Sequence, residues 1–236
     1  MTPLALCIMF MGLGAIALTL FLIEKCRKYS VKAMMIKTST SLLFIGVGAV
    51  GLYIHGGNQM ALLVTIGLLL GLLGDIWLDL KYIYKENDKP YTYAGFLMFL
   101  FGHVFYISGM IREYFHGDNF AYLIVPFVLG LAAGLATVLL EKPMKVKYGK
   151  MKWIVMLYGF ALFSMTALAI SLCILNEFKS TTLIMMSVGG ILFSVSDLIL
   201  SGTYFGEGKE RPVDIITNGI TYYAAQFLIA FSIFFI

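Results

Sequence analysis

The chain has 236 residues, of which 60% are hydrophobic and only 13% are charged, and its formal net charge is +4. A soluble domain carries about 25% charged residues, so this composition, with a mean hydropathy of +0.90, excludes a soluble globule, a disordered chain and a fibrous repeat. The apolar residues come in long runs and do not alternate, which argues against a β-barrel. We therefore predict an all-α polytopic membrane bundle, forming a single transmembrane domain over residues 1–236.

Eight apolar segments, each close to the ~20 residues that cross the hydrocarbon of a bilayer, predict eight transmembrane helices. In chain order they cover residues 3–24, 33–54, 59–80, 92–112, 120–140, 153–175, 181–203 and 213–235. Short connections with turn residues separate them, such as His55-Gly56-Gly57-Asn58 and Asp88-Lys89-Pro90. No Lys or Arg precedes Lys25, so we interpret the first segment as a retained helix and not as a signal peptide.

The basic residues predict the orientation of the bundle. Only Arg112 and Lys179 lie near the even-numbered loops, against fifteen near the odd-numbered loops. The fifteen are Lys25, Arg27, Lys28, Lys32, Lys37, Lys81, Lys85, Lys89, Lys142, Lys145, Lys147, Lys150, Lys152, Lys209 and Arg211. This asymmetry predicts cytoplasmic odd loops and both termini on the non-cytoplasmic side. It also accounts for the positive net charge, so we expect no nucleic-acid partner. The membrane would be the cell membrane in a bacterium and the endoplasmic reticulum in a eukaryote.

Five ionisable residues fall inside the predicted spans, where a charge costs about 2.5–3.5 kcal/mol on insertion scales. They are Lys37 in helix 2, Asp75 and Asp79 in helix 3, His103 in helix 4 and Asp197 in helix 7. Uncharged polar residues accompany them, namely Tyr106, Tyr158, Tyr222, Tyr223 and Gln226. All lie in the cytoplasmic half or the middle of their helices. Residues of this kind usually face the bundle interior and have a partner, so we expect them to lie close together.

Helical spacing supports one shared cavity. In helix 7, Gly190, Ser194, Asp197 and Ser201 form one small, polar stripe, and in helix 3, Gly67, Gly71 and Gly74 allow close helix contact beside Asp75. Phe99, His103 and Tyr106 share a face of helix 4, as do Asn218, Tyr222 and Gln226 in helix 8. We predict a cavity lined by helices 2, 3, 4, 7 and 8. The alternative is that these polar contacts serve packing alone.

The segment at residues 73–78, Leu-Gly-Asp-Ile-Trp-Leu, has an echo at residues 195–200, Val-Ser-Asp-Leu-Ile-Leu. Each segment ends a predicted helix, and each is followed by a charged loop. A parallel four-plus-four repeat with the site between its halves is consistent with this echo. No metal triad is expected, because the three histidines are widely separated and the cysteines at 7, 26 and 173 lack ligand spacing.

Four motifs together resemble the YhhN family of lysoplasmalogenase-like multi-pass membrane proteins. They are Gly74-Asp75, Gly102-His103-Val104-Phe105-Tyr106, Phe193-Ser194-Val195-Ser196-Asp197 and Tyr222-Tyr223-Ala224-Ala225-Gln226. The resemblance extends over nearly the whole chain in helix number and motif order. In the family a basic residue early in helix 2 is usually followed by proline, whereas Lys37 is followed by Thr38. The resemblance implies hydrolysis of the vinyl ether of lysoplasmalogens, giving a fatty aldehyde and a glycerophospho head group.

Such chemistry requires an acid that protonates carbon and a second group that stabilises the resulting oxocarbenium ion and activates water. The hypothesis is that Asp75 and Asp197 are this catalytic pair, with the acid and base roles left open, and that His103 assists them. We expect Lys37, Asp79, Tyr106, Ser194, Tyr222 and Gln226 to bind substrate. Lys37 would hold one Asp ionised or contact the lipid phosphate. The expected partners are a lysophospholipid substrate and membrane lipids, with no metal or organic cofactor and with the oligomeric state left open.

Two other functions fit the same residues. Intramembrane Asp, Lys and His also form proton relays in transporters and flippases, and flux without product formation would distinguish such a protein. A non-catalytic scaffold or lipid sensor is the other alternative. For it, Asp substitutions would change stability or partner binding, and no aldehyde would form.

Overall fold

The computed structural model of the protein describes residues 1–27, 29–84, 86, 88–117, 119–206 and 211–236. Within this part of the chain, eight α-helices are long and apolar enough to cross a membrane. They are α1 (Pro3–Arg27), α2 (Val31–Ile54), α3 (Gln59–Ile83), α4 (Asp88–Tyr114), α5 (Ala121–Leu139), α6 (Lys152–Leu175), α7 (Thr181–Phe205) and α8 (Pro212–Ser232). The predicted all-α fold with eight spans is confirmed. Three of the basic residues that predicted the orientation, Lys28, Lys85 and Lys209, lie outside the described residues, and the orientation stays a prediction.

Side-chain caps fix the start of three helices. Ser30, Asn58 and Ser180 each accept a hydrogen bond from a backbone N–H three residues later, at the N-termini of α2, α3 and α7. Such caps satisfy donors that a helix leaves unpaired in its first turn. They begin α3 and α7 at the residues where the apolar pattern predicts them to begin.

The prediction of a turn at Asp88-Lys89-Pro90 was wrong. These residues form the first turn of α4, which begins at Asp88. Proline is compatible with a first helical turn because the N–H that it lacks would have no partner there. Helices α3 and α7 also continue beyond their predicted ends, to Ile83 and Phe205. The apolar pattern marks the part of a helix inside the bilayer, and a helix can continue past it into the interface.

The helices pack most extensively as sequential pairs, α1 with α2, α3 with α4, α5 with α6, and α7 with α8. Helix α6 also packs against α4 and α7, and α8 against α1, α2 and α3. Helix α5 lies at the periphery and packs on α6. There a Cβ added at Gly130 or Gly134 would come within 2.8 Å of the α6 backbone, at Ser164 N and Met156 O. The glycines therefore permit close contact between these two helices. The four-plus-four repeat stays a prediction.

Candidate active site

Asp75, on α3, is a buried carboxylate with three polar partners. Its Oδ1 lies 3.1 Å from Lys37 Nζ. Its Oδ2 accepts hydrogen bonds from Ser41 Oγ at 2.7 Å and from the Tyr222 hydroxyl at 2.8 Å. Asp75 is only 3% exposed, and a charge at this depth requires such partners. Helices α2, α3 and α8 are thereby joined at one carboxyl group.

Lys37 links two carboxylates on successive turns of α3. Its ammonium lies 2.9 Å from Asp79 Oδ1 as well as 3.1 Å from Asp75 Oδ1, and the Asp79 side chain is 2% exposed. Lys37 thus lies in the candidate site although Thr38, not proline, follows it. When both carboxyls are ionised, this group of three side chains carries one net negative charge.

A chain of hydrogen bonds leads from Asp75 on α3, through two side chains of α8, to Tyr106 on α4. The Tyr222 hydroxyl that donates to Asp75 accepts from Gln226 Nε2 at 3.1 Å. Gln226 Oε1 in turn accepts from the Tyr106 hydroxyl at 3.3 Å. In α3, Gly67 leaves room for the Tyr106 ring and Gly71 leaves room for Gln226. These two glycines of α3 were predicted to permit close helix contact beside Asp75, and they do so where Tyr106 and Gln226 pack against α3.

Asp197, on α7, has different surroundings. In the described part of the chain its one hydrogen-bond partner is the Tyr158 hydroxyl of α6, which donates to Asp197 Oδ2. The small, polar stripe predicted on α7 does form one face of that helix. This face packs on α6 and on the loop that precedes α6. Ser194 lies 3.2 Å from Thr166 Oγ1, and Ser201 lies 3.0 Å from the Tyr148 hydroxyl.

Two small cavities meet at Asp197. The first, which we call the polar cavity, has a volume of about 40 Å³ and is lined by both candidate carboxylates together with Lys25, Lys37 and Tyr158. The second, which we call the apolar cavity, has a volume of about 50 Å³ and lies between α6, α7 and the α5–α6 loop. Both are lined by Phe96, Tyr158, Asp197, Leu200 and Tyr204. Asp197 is partly exposed, which is consistent with a side chain that lines two cavities.

In the predicted membrane orientation, the α5–α6 loop closes the cytoplasmic end of the apolar cavity. Lys147 N donates to Phe205 O at 2.8 Å, and Glu141 accepts from Tyr148 N at 2.8 Å. The Lys152 ammonium, 2.6 Å from the Glu141 carboxylate, and that backbone N–H hold the pKa of Glu141 below its ordinary value. These contacts hold the loop against the end of α7.

His103 is not brought to the carboxylates. Its ring is 1% exposed and packs edge-on against Phe193, with ring centroids 4.9 Å apart, and near Tyr106 and Tyr158. Neither ring nitrogen has a hydrogen-bond partner among the described residues. His103 is also absent from the lining of both cavities. In this arrangement it has no contact with either Asp of the candidate pair.

The structure divides the predicted substrate-binding residues into three groups. Lys37 and Tyr222 line the polar cavity, and Ser194 lines the apolar one. The third group lines neither cavity. In it, Asp79 contacts Lys37, Gln226 contacts Tyr222, and Tyr106 contacts Gln226. The predicted convergence of helices 2, 3, 4, 7 and 8 on one cavity holds, and α1 and α6 also line it.

Sequence reasoning missed the contributions of Ser41, Lys25 and helix α6. A serine one helical turn after Lys37 gives a weak signal, since it shares a face of α2 with that lysine. Tyr158 was recognised as a polar residue inside a span, but its pairing with Asp197 depends on which helix the α7 stripe faces. Within the described residues, no group of three or more His, Cys, Asp or Glu side chains is arranged to hold a metal ion.

Fold and site together define an eight-helix membrane protein with carboxylates enclosed in an internal polar cavity. The chain belongs to the YhhN family, whose family model matches residues 32–233. The match begins after α1 and includes every polar residue that lines the polar cavity except Lys25. Comparison with curated proteins gave no match, and comparison with solved structures gave none.

Proposed function

We propose that the protein is a membrane-embedded hydrolase that cleaves the vinyl ether of lysoplasmalogen-type lysophospholipids. The products are a fatty aldehyde and a glycerophospho head group. One observation carries the proposal, namely that Asp75 and Asp197 line the same cavity in unlike surroundings. Vinyl-ether hydrolysis requires an acid that protonates carbon and a second group that stabilises the cation and activates water, and two carboxyl groups in different protonation states can fill these roles. Membership of the YhhN family supports the same activity.

The contacts suggest which carboxyl has which role. Asp75 has an ammonium and two hydroxyl donors, all of which stabilise a carboxylate anion. Asp197 has one neutral phenol as its partner among the described residues, and an unpaired charge in apolar surroundings is costly. We therefore assign Asp197 as the protonated general acid and Asp75 as the ionised group. Because the Tyr158 hydroxyl donates to one oxygen of Asp197, the other oxygen can carry the proton.

In the proposed reaction, Asp197 transfers its proton to the alkene carbon remote from the ether oxygen. The adjacent carbon becomes an oxocarbenium ion, which the Asp75 carboxylate stabilises. A water molecule adds to this carbon and gives up a proton to Asp75. The hemiacetal then collapses: its hydroxyl gives its proton to the Asp197 carboxylate, the C–O bond to glycerol breaks, and the glycerol oxygen takes the proton held by Asp75. The net reaction consumes one water, and both carboxyl groups return to their starting states after proton exchange.

The two cavities suggest how the lipid is placed. The apolar cavity would take the beginning of the alkenyl chain, and the polar cavity would take the ether and the glycerol, with Asp197 at their junction. Cavities of about 40 and 50 Å³ have room for a few water molecules. Lipid binding therefore requires the side chains between them to move, among them Leu200 and Tyr204, which line both cavities.

The test is aldehyde release by purified Asp75→Asn and Asp197→Asn variants, followed by mass spectrometry on lysoplasmalogen and on its ester-linked analogue. We expect each variant to lose about 10²–10⁴ of the rate, the usual contribution of a general acid or base. Asp214→Asn is the matched control, because Asp214 pairs with exposed Arg211 and lines neither the polar nor the apolar cavity. Normal aldehyde release by either cavity variant would refute the pair. Lipid or proton flux without product in wild-type protein would indicate a transporter.

A further inference from the structure

A third cavity adjoins the polar cavity at Lys25. It has a volume of about 250 Å³ and is lined by Lys25, Cys26, Tyr29, Tyr82, Thr203 and Ile215. Lys25 is the residue that lines both this cavity and the polar cavity. We call it the head-group cavity, because we propose that it binds the phosphate of the lysophospholipid through the Lys25 ammonium. The inference rests on the proposed function and specifies how its substrate is recognised.

The charge of Lys25 supports this assignment. The other lysine of the polar cavity, Lys37, pairs with Asp75 and Asp79. By contrast, Lys25 forms no ion pair within the described part of the chain, and its Nζ lies 5.5 Å from the centroid of the Phe21 ring. A half-buried ammonium without an acidic partner favours an anion beside it. A phosphodiester supplies that charge and accepts hydrogen bonds from the ammonium.

The position of the cavity fits the dimensions of the substrate. Its lining residue Thr203 follows Asp197 by six residues on α7, and Tyr82 follows Asp75 by seven residues on α3. At the rise of an α-helix, both intervals correspond to about 9–10 Å along the helix axis. The extended distance from the reacting alkene carbon, through the glycerol, to a phosphate oxygen is of comparable length. A lipid whose ether lies beside Asp197 can therefore place its phosphate beside Lys25.

The wall of the head-group cavity is aromatic. The rings of Tyr29 and Tyr82 pack with centroids 4.6 Å apart. Burial, and then the nearby Asp79 carboxylate, raise the pKa of Tyr29 above its ordinary value, so its hydroxyl stays protonated. Among the described residues, Lys25 is thus the one cationic side chain lining a mostly apolar cavity. It belongs to α1, which precedes the residues matched by the family model, so nothing in that match assigns it a role.

The experiment measures binding, not turnover. Purified wild-type protein and Lys25→Met are titrated with a 1-O-alkyl lysophosphatidylethanolamine, whose saturated ether cannot be hydrolysed by this chemistry, and with a 1-O-alkylglycerol that lacks the phosphate. We expect the dissociation constant of the phospholipid to rise about tenfold, the effect of losing one charge-assisted hydrogen bond, and that of the alkylglycerol to stay unchanged. Lys25→Arg should bind both lipids like wild type. Lys32→Met is the control, since exposed Lys32 pairs with Glu24 nearby.

Two results would overturn the inference. Unchanged phospholipid binding in Lys25→Met would show that the ammonium does not contact phosphate. Equal weakening for both lipids would show that Lys25 supports the fold or balances the Asp75 and Asp79 charges. Competition distinguishes a lipid phosphate from free phosphate. Glycerophosphoethanolamine should displace the phospholipid better than inorganic phosphate does, and the opposite order would contradict a head-group site. Because the ligands are not cleaved, these results are independent of whether wild-type protein releases aldehyde.

Discussion

Asp75 and Asp197 lie in two similar six-residue segments, at residues 73–78 and 195–200, yet the two regions around them differ. The region around Asp75 is a network in which each oxygen of the Asp75 carboxylate has a charged or hydroxyl partner. The region around Asp197 is mostly apolar, with the Tyr158 hydroxyl as the one hydrogen-bond partner in the described chain. The comparison shows that a short motif places a carboxyl group in the membrane, and that neighbouring helices determine its chemical character.

This difference has a consequence for stability as well as for chemistry. Ionised groups that are buried together depend on one another, so removal of one partner leaves an uncompensated charge. Asp197 has no such dependence, because its partner is neutral. We therefore expect substitutions in the Asp75 region to affect folding and function, and substitutions in the Asp197 region to affect mainly function.

The largest expected effect is that of Lys37→Met. It leaves Asp75 and Asp79 buried without a cation, and breaking a buried ion pair in this way costs about 3–5 kcal/mol. We expect a correspondingly large drop in the unfolding temperature of the protein in detergent, measured by tryptophan fluorescence. Lys32→Met is the matched control, because an exposed ion pair contributes about 0–1 kcal/mol. The triple variant that adds Asp75→Asn and Asp79→Asn should recover much of the loss. Equal stability of the two lysine variants would contradict the proposed dependence.

The sequence was sufficient to predict the class of fold and much of the Asp75 region. Spans of about 20 apolar residues must be helical in a bilayer, because no water satisfies their backbone groups. Charged residues inside such spans must find partners, which is why Lys37, Asp75 and Asp79 could be expected to lie together. Tyr222 contacts that group directly and Gln226 reaches it through Tyr222, in line with their shared face on α8.

The Asp197 region could not be predicted as well, because a stripe on a helix does not identify the helix that it contacts. Gly190, Ser194 and Ser201 were correctly placed on one face of α7, but that face packs on α6 and its preceding loop. The role of Tyr158 therefore stayed hidden. His103 shows the opposite error, since a polar residue at mid-membrane depth was expected to face the carboxylates and instead packs among aromatic rings.

A smaller effect is expected when a single hydroxyl partner of either carboxyl group is removed. Tyr158→Phe removes the one described partner of Asp197 and keeps the ring, which packs on Phe96 with centroids 5.2 Å apart. Tyr222→Phe removes one of three partners of Asp75. The loss of one hydrogen bond to an ionised carboxyl, the form that Asp197 takes as it gives up its proton, corresponds to about 1.5–3 kcal/mol, or roughly 10–150-fold in rate.

We therefore expect the kcat for aldehyde release to fall by at least tenfold in Tyr158→Phe and by less in Tyr222→Phe, since Lys37 and Ser41 still hold Asp75. The unfolding temperature of both variants should change little. If Tyr222→Phe had the lower kcat of the two variants, the assignment of Asp197 as the general acid and Asp75 as the ionised group would be reversed.

The smallest expected effect is that of His103→Phe. The imidazole is enclosed by the rings of Tyr106, Tyr158 and Phe193, and its two nitrogens have no hydrogen-bond partner among the described residues. A buried polar atom without a partner costs about 1–3 kcal/mol, so replacing the ring by an apolar one of similar shape should be neutral or stabilising. We expect kcat within about threefold of wild type, because a group without a hydrogen-bond partner contributes little to proton transfer. A collapse of kcat at unchanged unfolding temperature would instead mean that the imidazole turns towards the carboxylates during the reaction, in which case the role first inferred for His103 from the sequence would hold and the two carboxyl regions would be linked through α4.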